Sequence, residues 1–455
     1  SHSTQENARI TGNGGQRSRT GSENGRRVDV RWANEGAPDT GSRVNMTVKV
    51  KENRFSPILK YPGGKEKELK YILPELPEHC EAYYEPFVGG GAVYFALESD
   101  RSYINDKSLE LISLYRMIQM KDCEFIRRLY GMEESWRKMG ELAESWEKEL
   151  GKLYRRYKKM VQNSLAAVQK NEWKSAGKAA KQELEKETVR FVKRRREELQ
   201  AILTETIIPE GFADAEQWFA GEIAVSIRDK MVRMCKLEEK KGRLTEDDLG
   251  QNLECALKNA LYMYFRYLYN HGSALGISES FAAAVYFFMR EYCYSSMFRY
   301  NRQGEFNVPY GGISYNRKSM MRKLEYFQQE TLTEHLKHTV MEHMDFEAFF
   351  ERHTPGQQDF IFLDPPYDSE FSTYAGNVFD RSDQERLADY LIRRCSARFM
   401  LVIKNTEFIR SLYPEGTHTA NGGRIRIRRF DKKYMVSFQD RNDKETEHLM
   451  ISNYE

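Results

Sequence analysis

The stretch AYYEPFVGGGAVYFALES, residues 82–99, decides the fold. Its start reads as a short apolar strand, Gly89, Gly90 and Gly91 as a tight loop, and the residues after them as a helix. The next segment, RSYINDKSLELISLYRMIQ (101–119), repeats the pattern as strand, acidic turn and helix. Strand–helix alternation over 57–119 predicts α/β architecture with a mainly parallel sheet. In such sheets ligands bind beyond the strand C-termini. Glycines there let the backbone approach a ligand without a Cβ in the way, although the triplet would serve equally as a packing turn. The spacing is not G-x-x-x-x-G-K-S/T, so a phosphate-cradling P-loop is not indicated. Asp106 ends the second strand. Its carboxylate can accept from the ribose hydroxyls of a nucleoside-like cofactor, or cap the helix that follows.

Outward from this stretch the chain changes character three times. Residues 1–45 are rich in Gly, Ser, Asn, Arg and Thr and lack apolar periodicity, which predicts a disordered leader. Met46 stands just before the first patterned segment and is read as the natural start. Residues 46–119 form the first part of the α/β core. Residues 120–330 follow as a helical insertion. Within it Met139, Leu142, Trp146, Leu150, Leu153, Tyr157 and Val161 recur at steps of three and four, one apolar helical stripe. KETVRFVKRRREELQAIL (186–203) reads as a further helix, its charges a solvated face. The tryptophans at 136, 146, 173 and 218 read as packing anchors. Residues 331–455 return to strand–helix alternation.

Composition bounds the class. With 40% hydrophobic and 31% charged residues in 455, the chain has enough apolar material for a sizeable core under a charged surface. No apolar run approaches the roughly 20 residues that span a bilayer, and no export signal stands out, so no membrane partner is expected. The six cysteines form no CxxC pair and the nine histidines no ligand-spaced cluster. That points to a reducing cytoplasm and to no metal. A net charge of +3 neither supports nor excludes nucleic acid.

A second stretch carries chemistry. In FIFLDPPYDSEF (360–371) a buried strand delivers Asp364 to its C-terminal end. Pro365 and Pro366 have fixed φ and no N–H, so their carbonyls remain as rigid acceptors. The Asp364 carboxylate and the Pro365 carbonyl make a two-acceptor clamp suited to a planar –NH2, and Tyr367 offers a flat face for the ring bearing it. The bland alternative is a proline-stiffened strand exit.

Taken in order, ILKYPGGK, EPFVGGGAVYF, INDKSLELISLY, RYNRQGEFNVPYG, MDFEAFF, DPPY, KNTEFIRSLY and HLMISNY resemble the motifs of Dam-type, alpha-group (D12 class) DNA adenine N6-methyltransferases. The resemblance covers 57–119 and roughly 281–455. It implies a Rossmann-like methyltransferase core, a largely helical target-recognition and insertion domain, and S-adenosylmethionine as cofactor, released as S-adenosylhomocysteine. By position it assigns Tyr61, Lys65, Phe87, Gly89 and Gly91 to cofactor contact, Asp106 to the ribose, and Asp345 and Phe346 to the adenine edge. It assigns Asp364, Pro365, Pro366 and Tyr367 to catalysis, and Arg299, Asn301, Arg302 and Asn307 to DNA. Arg299 and Arg302 could equally pair with a carboxylate such as Glu305. Where the family often has Asn-Gly before that arginine, this chain has Ser295-Ser296.

The implied function is site-specific methylation of an adenine flipped out of double-stranded DNA, in a prokaryotic or phage-type cytoplasm. A cognate restriction endonuclease acting separately is the further partner the resemblance allows. Methylation of cytosine N4, RNA adenine or a protein amide is the rival within enzymes. A catalytically silent DNA-binding protein is the rival outside them.

Overall fold

The computed structural model describes residues 49–50, 55–61, 63–166, 173–366, 379–433 and 445–455, all within one compact unit, Asn45–Glu455. For 49–50, 173–176, 431–433 and 445–446 it describes the backbone alone. The expected leader, Met46 and Tyr367 lie outside the described residues.

In the seven-stranded sheet, β1 (Tyr83–Glu85) leads through the glycine loop into α1 (Ala92–Ala96), and β2 (Ser102–Asn105) leads into α2 (Leu109–Gln119). Five long helices follow: α3 (Cys123–Ala166), α4 (Trp173–Lys193), α5 (Ala215–Lys241), α6 (Glu246–His271) and α7 (Glu279–Tyr292). The chain then rejoins the sheet with β3 (Thr339–Glu342), α8 (Phe346–Arg352), β4 (Phe360–Leu363), α9 (Arg381–Asp389), β5 (Arg398–Lys404), β6 (Arg426–Lys433) and β7 (Glu445–Ser452).

The seven strands lie in the order β3-β2-β1-β4-β5-β7-β6. The first five are parallel, and β7 runs antiparallel between β5 and β6. Strand order therefore reverses between β1 and β4. In an open α/β sheet that crevice, at the strand C-termini, is where ligands bind. The glycine loop leaves β1 there and Asp364 leaves β4 there.

Alternation along the strands sorts side chains to two faces. Tyr83, Phe360, Phe362, Met400 and Met450 join the core shared with the helical insertion. Tyr84, Ile361, Leu363, Leu401 and Ile451 pack instead with Phe349 and Phe350 of α8 and Leu387 of α9. The stripe read from Met139 to Val161 is buried throughout along the 44-residue α3. Trp136 and Trp146 are buried anchors, and Trp218 is half-buried against the same core. The helix expected over 186–203 is broken. It stops at Lys193, and a short helix restarts at Arg196–Gln200. Arg195 caps the gap by donating back to the Phe191 carbonyl and pairing with Glu149 of α3. All six cysteines are free thiols.

Candidate active site

The glycine loop is shaped by backbone conformation. Gly89 and Gly91 take φ of 47° and 68°, a region costly for residues with a Cβ. The Tyr61 ring packs on the loop: a Cβ at Gly89 would lie 3.2 Å from it, and one at Gly90 3.1 Å from its Cβ. Tyr115 of α2 donates to the Gly89 carbonyl at 2.6 Å. Asp106 accepts from the amides of Gly89, at 3.0 Å, and Ser108, at 2.9 Å. The cap of α2 is Ser108, not Asp106. Burial lifts the Asp106 carboxyl above its usual range, and the two amides oppose that rise. Each of its oxygens keeps a further lone pair, so the group fits a diol ligand.

An aromatic cluster packs beside the loop. The Phe87 ring lies 5.7 Å from Phe346 and 5.4 Å from Phe379, edge-on to the latter. Such faces suit a purine. Asp345 caps α8, accepting from the Glu347 amide at 3.0 Å. Arg386 of α9 grips it with two hydrogen bonds, of 3.1 and 3.0 Å. Partial burial pushes this carboxyl up, but the Arg386 bonds and the Glu347 amide outweigh it and hold it below the usual range. A ligand would share Asp345 with Arg386.

Asp364 is 2.6 Å from Lys65 Nζ; the side chains are 21% and 3% exposed. Lys65 Nζ also donates to the Gly63 carbonyl at 3.1 Å. A buried ammonium needs such partners, and here the partner is the carboxylate at the end of β4. Pro365 is buried behind it. The Pro366 carbonyl accepts from Gln384 Nε2 of α9 at 3.1 Å. Tyr61, Gly89 and Asp106 are thus joined by direct contacts, Lys65 and Asp364 by their ion pair, and Phe87 and Phe346 by ring packing.

Residues 299–307 form a hairpin. Tyr300 bridges Phe306, and Asn301 Oδ1 accepts from the amides of Gln303 and Glu305 at its tip. Asn301 is therefore a turn-former. Arg299 is exposed and donates to Asn307 Oδ1 at 3.1 Å. Arg302 is exposed, and neither arginine forms an ion pair among the described residues. Glu305, the expected competitor, approaches His271 at 3.9 Å instead. Tyr294 stands 45% exposed before the hairpin.

Ser295 and Ser296 both adopt left-handed backbone, φ 54° and 52°, at the site where Asn-Gly is expected. Each costs about 1–2 kcal/mol relative to glycine. Ser296→Gly is expected to raise the melting temperature by about a degree, since glycine's larger unfolded-state entropy offsets part of the relief. Ser296→Val, β-branched, should lower it. Differential scanning fluorimetry reads both, and shifts of the same sign would contradict the strained turn.

Gln384, Arg386 and Tyr294 went unnoticed in sequence. Gln384 and Arg386 sit in RSDQERL, an unremarkable helical pattern. Nothing local says that they reach Pro366 and Asp345.

A family described as D12 class N6 adenine-specific DNA methyltransferase matches residues 61–202 and 232–426. The type II methyltransferase M.CviBI of Paramecium bursaria Chlorella virus NC1A is 32% identical over 176 residues, 38% of this chain and 61% of that protein. The retron Ec67 DNA adenine methylase of Escherichia coli is 31% identical over 169 residues, 36% and 55% of the two chains. A DNA adenine methylase of Vibrio cholerae is 30% identical over 142 residues, 29% and 48%. The chain thus spans about half the length of these curated relatives. No helix among the described residues is long and apolar enough to cross a membrane, and no metal-ligand cluster occurs among them.

Proposed function

Because the chain belongs to the D12 class of N6 adenine-specific DNA methyltransferases, we propose that it methylates adenine N6 in double-stranded DNA, drawing the methyl group from S-adenosylmethionine. The observation that carries this reading is the Asp364–Lys65 pair at the sheet's switch point, beside the glycine loop and Asp106. Tyr61, Lys65, Phe87, Gly89, Gly91, Asp106, Asp345 and Phe346 would hold the cofactor. When bound, that group supplies an electrophilic methyl on a sulfonium.

The protein's own part is positioning. Adenine N6 is a weak nucleophile because its lone pair is delocalised into the ring. Accepting its two N–H bonds at Asp364 and the Pro365 carbonyl favours a pyramidal nitrogen and concentrates the lone pair. As N6 gains positive charge, the Asp364 carboxylate stabilises it. The target base must leave the stack to reach Asp364. Arg299, Asn301, Arg302 and Asn307 would engage DNA, Tyr294 would press its ring on the opened step, and Tyr367 would stack on the flipped base. Such an enzyme works in the cytoplasm of a cell or infected host. A cognate restriction endonuclease, where one exists, would read the same site separately.

The deciding experiment incubates the protein with DNA and methyl-labelled S-adenosylmethionine and analyses the nucleosides by mass spectrometry. N6-methyladenine is expected. Label only in N4-methylcytosine, RNA or protein would overturn the reading.

Gln384 gives a second test. Its amide holds the Pro366 carbonyl and so the carbonyl next to it. Gln384→Leu should lower kcat about tenfold, roughly the worth of a buried hydrogen bond, with little change in KM. In Gln384→Glu the buried carboxyl titrates above its usual range. Protonated, it still donates to Pro366; ionised, it repels that carbonyl. Activity relative to wild type should therefore fall as pH rises from about 6 to 9. A flat ratio would remove Gln384 from the positioning of the loop.

A further inference from the structure

Arg290, in the last turn of α7, is 4% exposed, and no carboxylate lies within ion-pairing distance of it among the described residues. Burying a guanidinium without a counter-ion is costly, several kcal/mol before compensation. Its close partners are rings and neutral acceptors, with Asp106 and Glu110 attracting it from farther off. Cζ lies 3.5 Å from the Phe298 ring centre, 4.9 Å from that of Tyr61 and 5.4 Å from that of Tyr286. Nε donates to the Tyr286 hydroxyl at 3.2 Å and Nη1 to the Ser296 carbonyl at 3.3 Å. Neutral N–H donors could make hydrogen bonds of that kind. Only a flat cation also gains from the ring faces, by about 2 kcal/mol where water is excluded.

The two ends of this contact belong to different sites. Tyr61 packs on Gly89 and Gly90, the loop assigned above to the cofactor. Phe298 precedes Arg299, and Ser296 is the second left-handed residue of the turn that launches the hairpin. A strained turn is a segment with a second arrangement within reach, and Arg290 holds this one by its carbonyl. A parallel strut runs alongside. The Tyr300 hydroxyl meets that of Tyr269 at 2.8 Å, and Tyr269 donates to Glu110 at 2.5 Å, four residues beyond Asp106.

We propose that Arg290 is a positioning residue that couples the cofactor pocket to the DNA hairpin, through Tyr61 on one side and Phe298 with Ser296 on the other. The proposal rests on the functional reading above. A ligand against the glycine loop fixes the Tyr61 ring, the ring fixes the guanidinium, and the guanidinium selects one arrangement of the turn. Coupling of this kind is reciprocal: each ligand tightens the other by the same factor.

The test uses the full chain, S-adenosylhomocysteine as cofactor-site probe, and a DNA duplex that the protein methylates. DNA affinity is measured by fluorescence anisotropy with and without the probe, and probe affinity by calorimetry with and without DNA. Wild type should show about tenfold mutual tightening, within the range usual for coupled sites. In Arg290→Gln, which loses the cation and is too short to keep the Ser296 bond, the factor should drop below about twofold. Phe298→Leu, which keeps apolar volume and loses the ring face, should lower it too, and decides the matter if Arg290→Gln fails to fold. A merely structural role would weaken both affinities and leave their ratio unchanged; that outcome overturns the proposal. Wild type that binds both ligands independently overturns the coupling alone. Wild type that binds neither overturns the functional reading with it.

Discussion

Asp364→Ala is expected to lower methyl transfer by about 10³-fold or more, with DNA affinity within a few-fold of wild type. The size follows from what one carboxylate does here. It accepts an N–H of the target amine and faces the positive charge that grows on that nitrogen. A single preorganised group of this kind typically contributes 10²–10³ in rate, and misplacing the amine adds a loss of orientation. Alanine removes both. Asp364→Asn keeps the shape and one acceptor but loses the charge, so it should fall between alanine and wild type. DNA affinity is spared because it comes mainly from phosphate contacts, and Asp364 lies at the sheet rather than on the hairpin of Arg299 and Arg302. Single-turnover transfer of labelled methyl, paired with anisotropy on the same duplex, reads both quantities. Retention of more than a tenth of the wild-type rate would sink the acceptor clamp.

The difference between what the sequence tells and what it withholds is one of range. The β1–glycine loop–α1 unit, the strand before Asp364 and the apolar stripe of α3 are local patterns of period 2 and 3.6, and each lies where its pattern predicts. Parallel alternation also told that β1 and β4 would share a sheet. Strand order did not follow from periodicity, so the sequence could not say that their C-termini border one crevice. The contacts across it were equally silent. Lys65 and Asp364 are far apart in the chain, as are Asp345 and Arg386, and nothing local pairs them. The break at Arg194–Arg195 was missed because its sequence is a good helix former; the partner that interrupts it, Glu149, sits on α3. Ser295–Ser296 hides for the opposite reason. Serine is a common turn residue, and nothing in its identity announces a left-handed pair.

Lys65→Met should separate function from stability, because the two are expected to move differently. Methionine keeps the length of the side chain and removes the charge. Breaking a buried ion pair usually destabilises by about 3–5 kcal/mol, since the surviving charge is stranded. That figure does not carry over. Asp364 is 21% exposed and reaches water, whereas Lys65 is 3% exposed and bears most of the desolvation. Replacing the buried ammonium with an apolar group removes that penalty, so the melting temperature should stay within about 3 °C of wild type. Activity should not be spared. Without Lys65 the carboxylate of Asp364 loses the contact that aims it, and methyl transfer should fall about 10²-fold, as for other losses of precise orientation. Lys65→Arg restores charge but brings a planar fork where a rotatable ammonium bridges Asp364 and the Gly63 carbonyl. It should recover only part of the rate. Thermal melts and single-turnover rates on the same preparations decide between the terms. Lost stability with an unchanged rate per folded molecule would make the pair a structural one, and Asp364 would then be aimed without Lys65.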